Sequence, residues 1–342
     1  MNKDTSSRIE IIIFAVLFIV LTLAFYASWI KTKNRDEAQE IATTIRLGFV
    51  EAGISGLMVR IIEDNNISKS LNLNIEFIPF NSPIALNNAI VAKEVDVAMA
   101  TGANAAAKMI ETGSNVKYFF PNVLNSVSLL TTKKSYIKSL DELKGKTIGW
   151  YGLQTSGGTS LYLILDELGY DFHKDFKFIE ATPPLLPPLL SRGEVDAIIV
   201  FEPITTKLLT TGNYEELIGP FWKEWKNRTG APMELSGYVA HENWLEENKY
   251  EATKLLTMWI NTVDTFKANA NKQLKLYSRL TGIESDEGIK LASTRLTDIL
   301  VKDWGDIEGA IGDTQNLLYK KSIYFYKQPK GVIKKIEPFI TQ

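Results

Sequence analysis

Cysteine is absent from the sequence, and only two histidines occur, His173 and His241. Disulfides, thiolate metal sites, a cysteine nucleophile and a lipidated N-terminal cysteine are therefore excluded. A histidine-rich metal centre has too few ligands, so no metal and no cofactor are expected. Basic excess is also missing: 38 Lys+Arg stand against 40 Asp+Glu, a net charge of −2. Such a chain has little with which to neutralise a phosphate backbone, and no nucleic-acid partner is expected. What is present suits a folded protein: 342 residues, 45% hydrophobic and 23% charged. Those values exclude a mainly disordered chain and a polytopic membrane protein. At about 150 residues per domain, the length suggests two domains.

One long apolar run exists. Ile11 to Ile30 carries no charge over twenty residues. At about 1.5 Å per residue it can cross a hydrocarbon core of about 30 Å. It exceeds the usual apolar segment of a cleaved signal peptide, about 7 to 15 residues. The nearest small-residue cleavage pattern, Thr22-Leu23-Ala24, lies inside the run. We read residues 9–30 as an uncleaved transmembrane anchor, with a signal peptide or a buried helix as alternatives. Lys31, Lys33 and Arg35 follow the run, against Lys3 and Arg8 before it. That count favours the C-terminal side inside, but long domains translocate largely regardless of charge. A single-pass cell-membrane protein with an extracytoplasmic body is expected, joined by a polar stalk at 31–43.

From Thr43 the pattern is α/β. Strands are expected at 44–49, 74–79 and 95–100, with helices at 56–63, from Ser82-Pro83 onward, and at 103–111. About a hundred residues later the order recurs. Strands fall at 146–151, 176–180 and 195–201, with helices at 159–168 and 183–191. Glu94-Val95-Asp96 matches Glu194-Val195-Asp196, and Thr112-Gly113 matches Thr211-Gly212. Shared order and a near-constant offset point to an internal duplication. Each copy should form a mostly parallel sheet flanked by helices, with right-handed crossovers. Residues 44–125 plus 238–342 would form one lobe and 130–235 the other. Helices at 249–268, 285–300 and 307–320 are expected to pack on the first lobe. The chain would cross between lobes near 124–132 and 233–240, which suits a hinge that closes on a ligand.

These residues resemble a known family. Ser139-Leu140-Asp141-Glu142-Leu143-Lys144-Gly145-Lys146-Thr147-Ile148-Gly149 looks like the "sl-DLkGk-igv" signature of periplasmic-type substrate-binding proteins. Arg192-Gly193-Glu194-Val195-Asp196-Ala197, followed by Phe201-Glu202-Pro203, looks like "l-G-vDAa-…eP". That version is typical of ABC-importer proteins for aliphatic sulfonates, taurine, nitrate or thiamine-pyrimidine precursors. Lys93-Glu94-Val95-Asp96-Val97-Ala98 resembles the earlier "G-vDva", with Lys93 in place of Gly. The resemblance covers about residues 44–270. It implies a type II periplasmic-binding-protein fold, a small-molecule solute in the cleft, and docking onto an ABC permease with its ATPase. The anchor would take the place of the lipid that many relatives carry.

Solutes bind beyond the carboxyl ends of parallel strands, where helix starts point N–H groups at the site. That rule selects the loops 50–56, 79–83, 101–104, 151–160, 181–184 and 201–203. The most informative is Gly152 to Ser160, with flexible glycines and four hydroxyls. Its spacing approaches a phosphate loop, but Gly158 stands where that motif needs Lys. NTP hydrolysis is not expected, whereas the backbone could cradle a sulfonate, nitrate or carboxylate. Thr155, Ser156, Gly157, Gly158 and Thr159 are candidates here, against the alternative of a plain glycine-rich helix start. Thr101, Gly102 and Asn104 offer close approach and hydrogen bonds. Ser82 could meet solute or cap its own helix. Ser126 and Asn125 lie by the first crossing, and Thr182 ends a strand. Glu202 could pair with an N–H-rich ligand or serve structure. Trp150, Tyr151, Trp222 and Tyr238 could form an aromatic wall or belong to the core.

No paired carboxylates and no Ser/His/Asp arrangement are recognisable, so no catalytic residue is assigned. The sequence is read as the solute-binding component of an ABC importer, taking a small anion of sulfonate, taurine or nitrate type. Alternatives are binding of a thiamine-type pyrimidine precursor, an enzyme of pyrimidine or thiamine biosynthesis on the same fold, and an extracytoplasmic sensor.

Overall fold

Asp96 and Asp196 hold equivalent places in two similar sheets. Asp96 accepts the Arg46 backbone N–H on its carboxylate at 2.8 Å and returns its own N–H to the Arg46 carbonyl at 2.8 Å. Asp196 does the same with Thr147, at 2.9 and 2.8 Å. The repeated Glu-Val-Asp triplet thus marks where the third strand of each copy is clamped to the first. The computed structural model describes residues 21–26, 44–324 and 331–338.

Two units emerge, residues 1–43 and 44–342. Of the first, only residues 21–26 are described, as exposed helix. The anchor expected at 9–30 and the stalk at 31–43 otherwise lie outside the described residues. Among the described residues no helix is long and apolar enough to cross a membrane.

The second unit contains two five-stranded sheets. The first copy gives β1 (Ile45–Val50), α1 (Ile54–Asp64), β2 (Ile75–Phe80), α2 (Pro83–Val91), β3 (Val97–Thr101), α3 (Ala103–Glu111) and β4 (Val116–Leu124). The second gives β5 (Ser128–Thr132), β6 (Thr147–Trp150), α4 (Ser156–Glu167), β7 (Lys177–Glu180), α5 (Leu186–Ser191), β8 (Ala197–Val200), α6 (Ile204–Thr210) and β9 (Tyr214–Ile218). Then follow α7 (Phe221–Thr229), β10 (Glu234–His241), α8 (Lys249–Ala268), α9 (Ala270–Leu276), α10 (Asp286–Ile299) and α11 (Ile307–Lys320).

Strand order is β2-β1-β3-β10-β4 in the first sheet and β7-β6-β8-β5-β9 in the second. The central strands are parallel, and β10 and β5 run antiparallel to their neighbours. Each antiparallel strand is the one that has just crossed from the other lobe. Glycine repeats as well. A Cβ on Gly48 would lie 2.5 Å from Leu86, and one on Gly149 2.7 Å from Leu186. Without a side chain there, α2 and α5 can lie flat on their sheets. Buried on both faces, β3 and β8 read as continuous apolar runs.

The crossings are residues 125–127 and the stretch from Gly219 to Met233 that carries α7. They are hydrogen-bonded to each other: Phe221 N–H donates to the Val127 carbonyl, Trp222 N–H to that of Asn125, and Asn125 N–H to that of Met233. The C-terminal helices divide their contacts. Helix α8 packs on α1, and α11 on α3, both in the first lobe. Helix α10 instead packs on α6 of the second lobe, which amends the expectation of three helices on the first. Its chain then returns to the first lobe, where Val301 N–H donates to the Asn122 carbonyl. Residues 331–338 extend the β4 edge, with Tyr118 bridging Ile333 in parallel.

Candidate functional site

The carboxyl ends of the parallel strands in both sheets meet at one cavity of about 60 Å³. A single water needs about 10–15 Å³ and an apolar cavity of about 150 Å³ accepts benzene, so this space suits a handful of heavy atoms. From the first lobe come the β1–α1 turn (Val50, Gly53, Ile54, Ser55), Pro83 and Asn87 of α2, and Thr101 and Gly102 at the end of β3. The second lobe supplies Tyr151, Thr155, Ser156, Gly157, Phe201 and Glu202. Ser126 of the first crossing, Ser236 of β10 and Trp259 of α8 complete the wall.

Both lobes touch across this space. Asn87 donates through Nδ2 to the Gln154 carbonyl at 3.3 Å, while its Oδ1 accepts from the Thr101 hydroxyl at 3.0 Å. A Cβ on Gly102 would fall 2.1 Å from Ser156 Oγ and 2.3 Å from the Leu235 carbonyl oxygen. Only a glycine permits that approach.

Four helices begin at the cavity, and their starts differ. Ser82 caps α2 by accepting the Ala85 N–H, and Thr155 caps α4 by accepting the Gly158 N–H. Helices α1 and α3 start after Gly53 and Gly102 without a side-chain cap. At α3 the Ala103 N–H is taken by the buried carboxylate of Glu234 at 2.8 Å. Burial pushes that carboxyl up to about 7, against the pull of the N–H. The cavity-lining first turns of α1 and α4 remain to offer N–H groups and partial positive charge to a guest. Beside them two buried hydroxyls, Ser156 Oγ and Tyr151 OH, have no hydrogen-bond partner. Buried polar groups normally are satisfied, so unpartnered ones in a cavity wall are places for a ligand.

Seven residues singled out from sequence line the cavity: Thr101, Gly102, Ser126, Thr155, Ser156, Gly157 and Glu202. Five do not. Ser82 is spent on its cap. Asn104 is not part of the wall; its backbone carbonyl accepts from Tyr324 OH at 2.9 Å, and its buried side-chain Oδ1 has no hydrogen-bond partner. At Gly158 a Cβ would fall 1.9 Å from the Gly152 carbonyl oxygen, so this glycine is required by close packing of the turn. The Thr159 hydroxyl bonds to the carbonyls of Thr155 and Ser156. Thr182 is half-buried outside the cavity, in the loop before α5. Asn125 instead ties the first crossing to α4, donating to Ser160 Oγ at 2.5 Å. Of the aromatic candidates, Tyr151 lines the cavity. Trp150 packs at a tilt on Phe172 and Phe178, and Tyr238 lies in the core against Phe119 and Trp259.

Sequence reasoning missed Ser55, Asn87, Ser236 and Trp259, which come from a helix start, a helix interior, a crossing strand and a distant helix. It also missed Arg295. This α10 side chain donates from Nε to Glu202 and from both terminal nitrogens to Glu216, at 3.1 and 2.9 Å. Glu202 is part of the cavity wall, and its peptide bond to Pro203 is cis. Burial outweighs the pull of Arg295 and holds its carboxyl above the usual range.

A paired-sheet cleft of this topology defines the two-lobed periplasmic-binding-protein fold. The chain belongs to the NMT1-like family, which it matches over residues 38–276. The alkanesulfonate-binding protein SsuA of Xanthomonas axonopodis pv. citri, solved with MOPS, superimposes with a TM-score of 0.72 at 14% identity, covering 85% of this chain and 98% of that one. The aliphatic sulphonate-binding SsuA of Escherichia coli gives 0.64 at 17%, covering 83% and 94%. The nitrate-binding NrtA of Synechocystis PCC 6803 gives 0.58 at 14%, covering 72% and 69%. At these identities the likeness is one of fold. A Haemophilus influenzae protein named for thiamine biosynthesis is 33% identical over 130 residues, 37% of this chain and 40% of that protein. The match thus spans less than half of that relative.

Proposed function

We propose that the protein captures a small oxyanion, of sulfonate or nitrate type, between its lobes and passes it to an ABC permease with its ATPase. The observation that carries this reading is the small cavity on which N–H ends of α1 and α4 converge with the unpartnered Ser156 hydroxyl. An oxyanion accepts several hydrogen bonds at once and needs no counter-charge where oriented N–H dipoles surround it. Closure excludes water and strengthens each bond. Micromolar capture needs about 8 kcal/mol, within reach of a few charge-assisted bonds. The Asn87–Gln154 bond and the Gly102–Ser156 contact hold the lobes together around the guest.

The wall is largely apolar, with Trp259, Phe201, Met99 and Ile54. That favours a short alkyl sulfonate over taurine, whose ammonium would find no unpaired carboxylate. No covalent chemistry is proposed, since no His, Lys or Cys lines the cavity to activate a hydroxyl. The apolar run at residues 9–30 would tether the binding domain outside the cytoplasm, beside its permease.

A second reading has its own observation. Glu202 is the charged residue among the cavity wall, and Tyr151, Phe201 and Trp259 are aromatic neighbours. A pyrimidine bearing amino groups would donate to that carboxylate and stack on those rings. It requires a wider cleft than about 60 Å³. Calorimetric titration of the full chain with methanesulfonate, nitrate, taurine and an aminopyrimidine decides between them. Saturable binding of the first two supports the oxyanion reading; binding of the aminopyrimidine alone overturns it.

A further inference from the structure

The cavity wall contains one ionisable carboxylate and no cation. Glu202 is 1% exposed, and its charge would be felt strongly by any anion held in front of it. Arg295 answers it from behind. The guanidinium comes from α10, 93 positions further along the chain, and its side chain is 14% exposed. It forms a fork onto Glu216 and also donates to Ser128 Oγ at 3.3 Å. This fixes its plane so that Nε faces Glu202. Helix α10 is further tied to α7 of the second crossing by an ion pair between Asp298 and Lys223 at 3.4 Å.

We propose that Arg295 sets the charge preference of the cavity: by neutralising Glu202 it admits an anionic head, and without it the same cavity selects neutral or cationic solutes. The inference rests on the oxyanion reading above and assigns its selectivity to a residue that does not touch the solute. With both carboxylates ionised, the three side chains sum to −1, so the arrangement tolerates an anion only while the positive charge lies next to the wall. Glu216 is the buttress: it keeps the guanidinium oriented and is not itself part of the cavity wall.

The test compares methanesulfonate with its neutral isostere methanesulfonamide on the full chain, by calorimetry, with thermal melting as the folding control. The readout is the ratio of the two affinities. Above the pH at which the then unpaired, buried Glu202 carboxyl ionises, Arg295→Met is expected to lower the sulfonate preference about 100-fold, the scale of a like charge a few ångströms away in a partly screened interior. Glu202→Gln is expected to raise it about tenfold, and the double variant to return it to near the starting value. A purely structural role for Arg295 would weaken both probes alike and leave the ratio unchanged, which overturns the inference. Where Arg295→Met does not fold, Glu202→Gln decides alone: an unchanged ratio, or loss of binding to both probes, overturns it. Starting protein that binds neither probe sinks the oxyanion reading and this inference with it. Sulfonate binding with an indifferent ratio sinks only the inference.

Discussion

Gly102 in the first lobe lies against Ser156 in the second, so closely that a single added carbon would fall 2.1 Å from the serine oxygen. The contact joins the end of β3 to the start of α4. It makes the width of the closed cleft depend on the absence of one side chain.

Gly102→Val should therefore wedge the lobes apart. Affinity for the solute is expected to fall by at least tenfold, about 1.4 kcal/mol. Small-angle scattering should lose any ligand-induced compaction seen in the parent protein. Unchanged affinity and compaction would show that the lobes do not need this contact to close.

Ser156→Ala removes a buried hydroxyl that has no partner within the protein. Melting temperature should hardly change, because no internal bond is lost. Solute affinity should fall by about 10- to 100-fold, the worth of a hydrogen bond to a charged group at 1.5–3 kcal/mol. A large drop in stability with intact binding would place this hydroxyl in the scaffold instead.

Glu234 gives the protein a pH signature. Its carboxyl is raised by burial from 4.5 to about 7 in the folded state. The folded protein then binds a proton more readily than the unfolded chain. Its contribution to stability is full below about pH 4.5 and is lost as pH rises through about 7. The loss amounts to roughly 3 kcal/mol by linkage, an order-of-magnitude figure. Glu234→Gln keeps an acceptor for the Ala103 N–H and removes the titration. Urea unfolding between pH 4.5 and 8 should show a flatter curve for the variant; identical slopes would refute the assignment.

The duplication itself can be tested. Asp96→Ala and Asp196→Ala each strip a carboxylate from an equivalent clamp between the first and third strands. Each is expected to cost about 1–3 kcal/mol in chemical unfolding, Asp96→Ala somewhat more because Asp96 also accepts from the Arg46 guanidinium at 3.2 and 2.7 Å. A cost confined to one of the two would mean that the sheets are not held alike.

Much of this architecture was legible because β1, β3, β6 and β8 are short, mostly apolar runs, the first three feeding helices through Gly or Thr and the last through Glu202-Pro203. The aspartate repeat was legible for the same reason, since its hydrogen bonds recur with the sequence. β5, β9 and β10 were harder. Tyr214–Ile218 carries two glutamates, and Gly237 interrupts Glu234–His241. β10 finds its place only by pairing with β3 and β4, more than a hundred residues earlier in the chain. At the site, hydroxyls at helix starts were visible from sequence, but their duties were not. The group that can meet a solute can equally cap its own helix, as Ser82 does, or bond one turn back, as Thr159 does. Nothing near Arg295 in sequence announces Glu202 and Glu216 as its partners. That relation exists only once α10 has folded onto α6.

The most direct measurement is a calorimetric titration of the full chain with methanesulfonate, followed by the same titration of Ser156→Ala. One saturable site of about micromolar affinity, weakened at least tenfold in the variant, is the expected result. No heat from the sulfonate or nitrate, with saturable binding of an aminopyrimidine, would contradict the account.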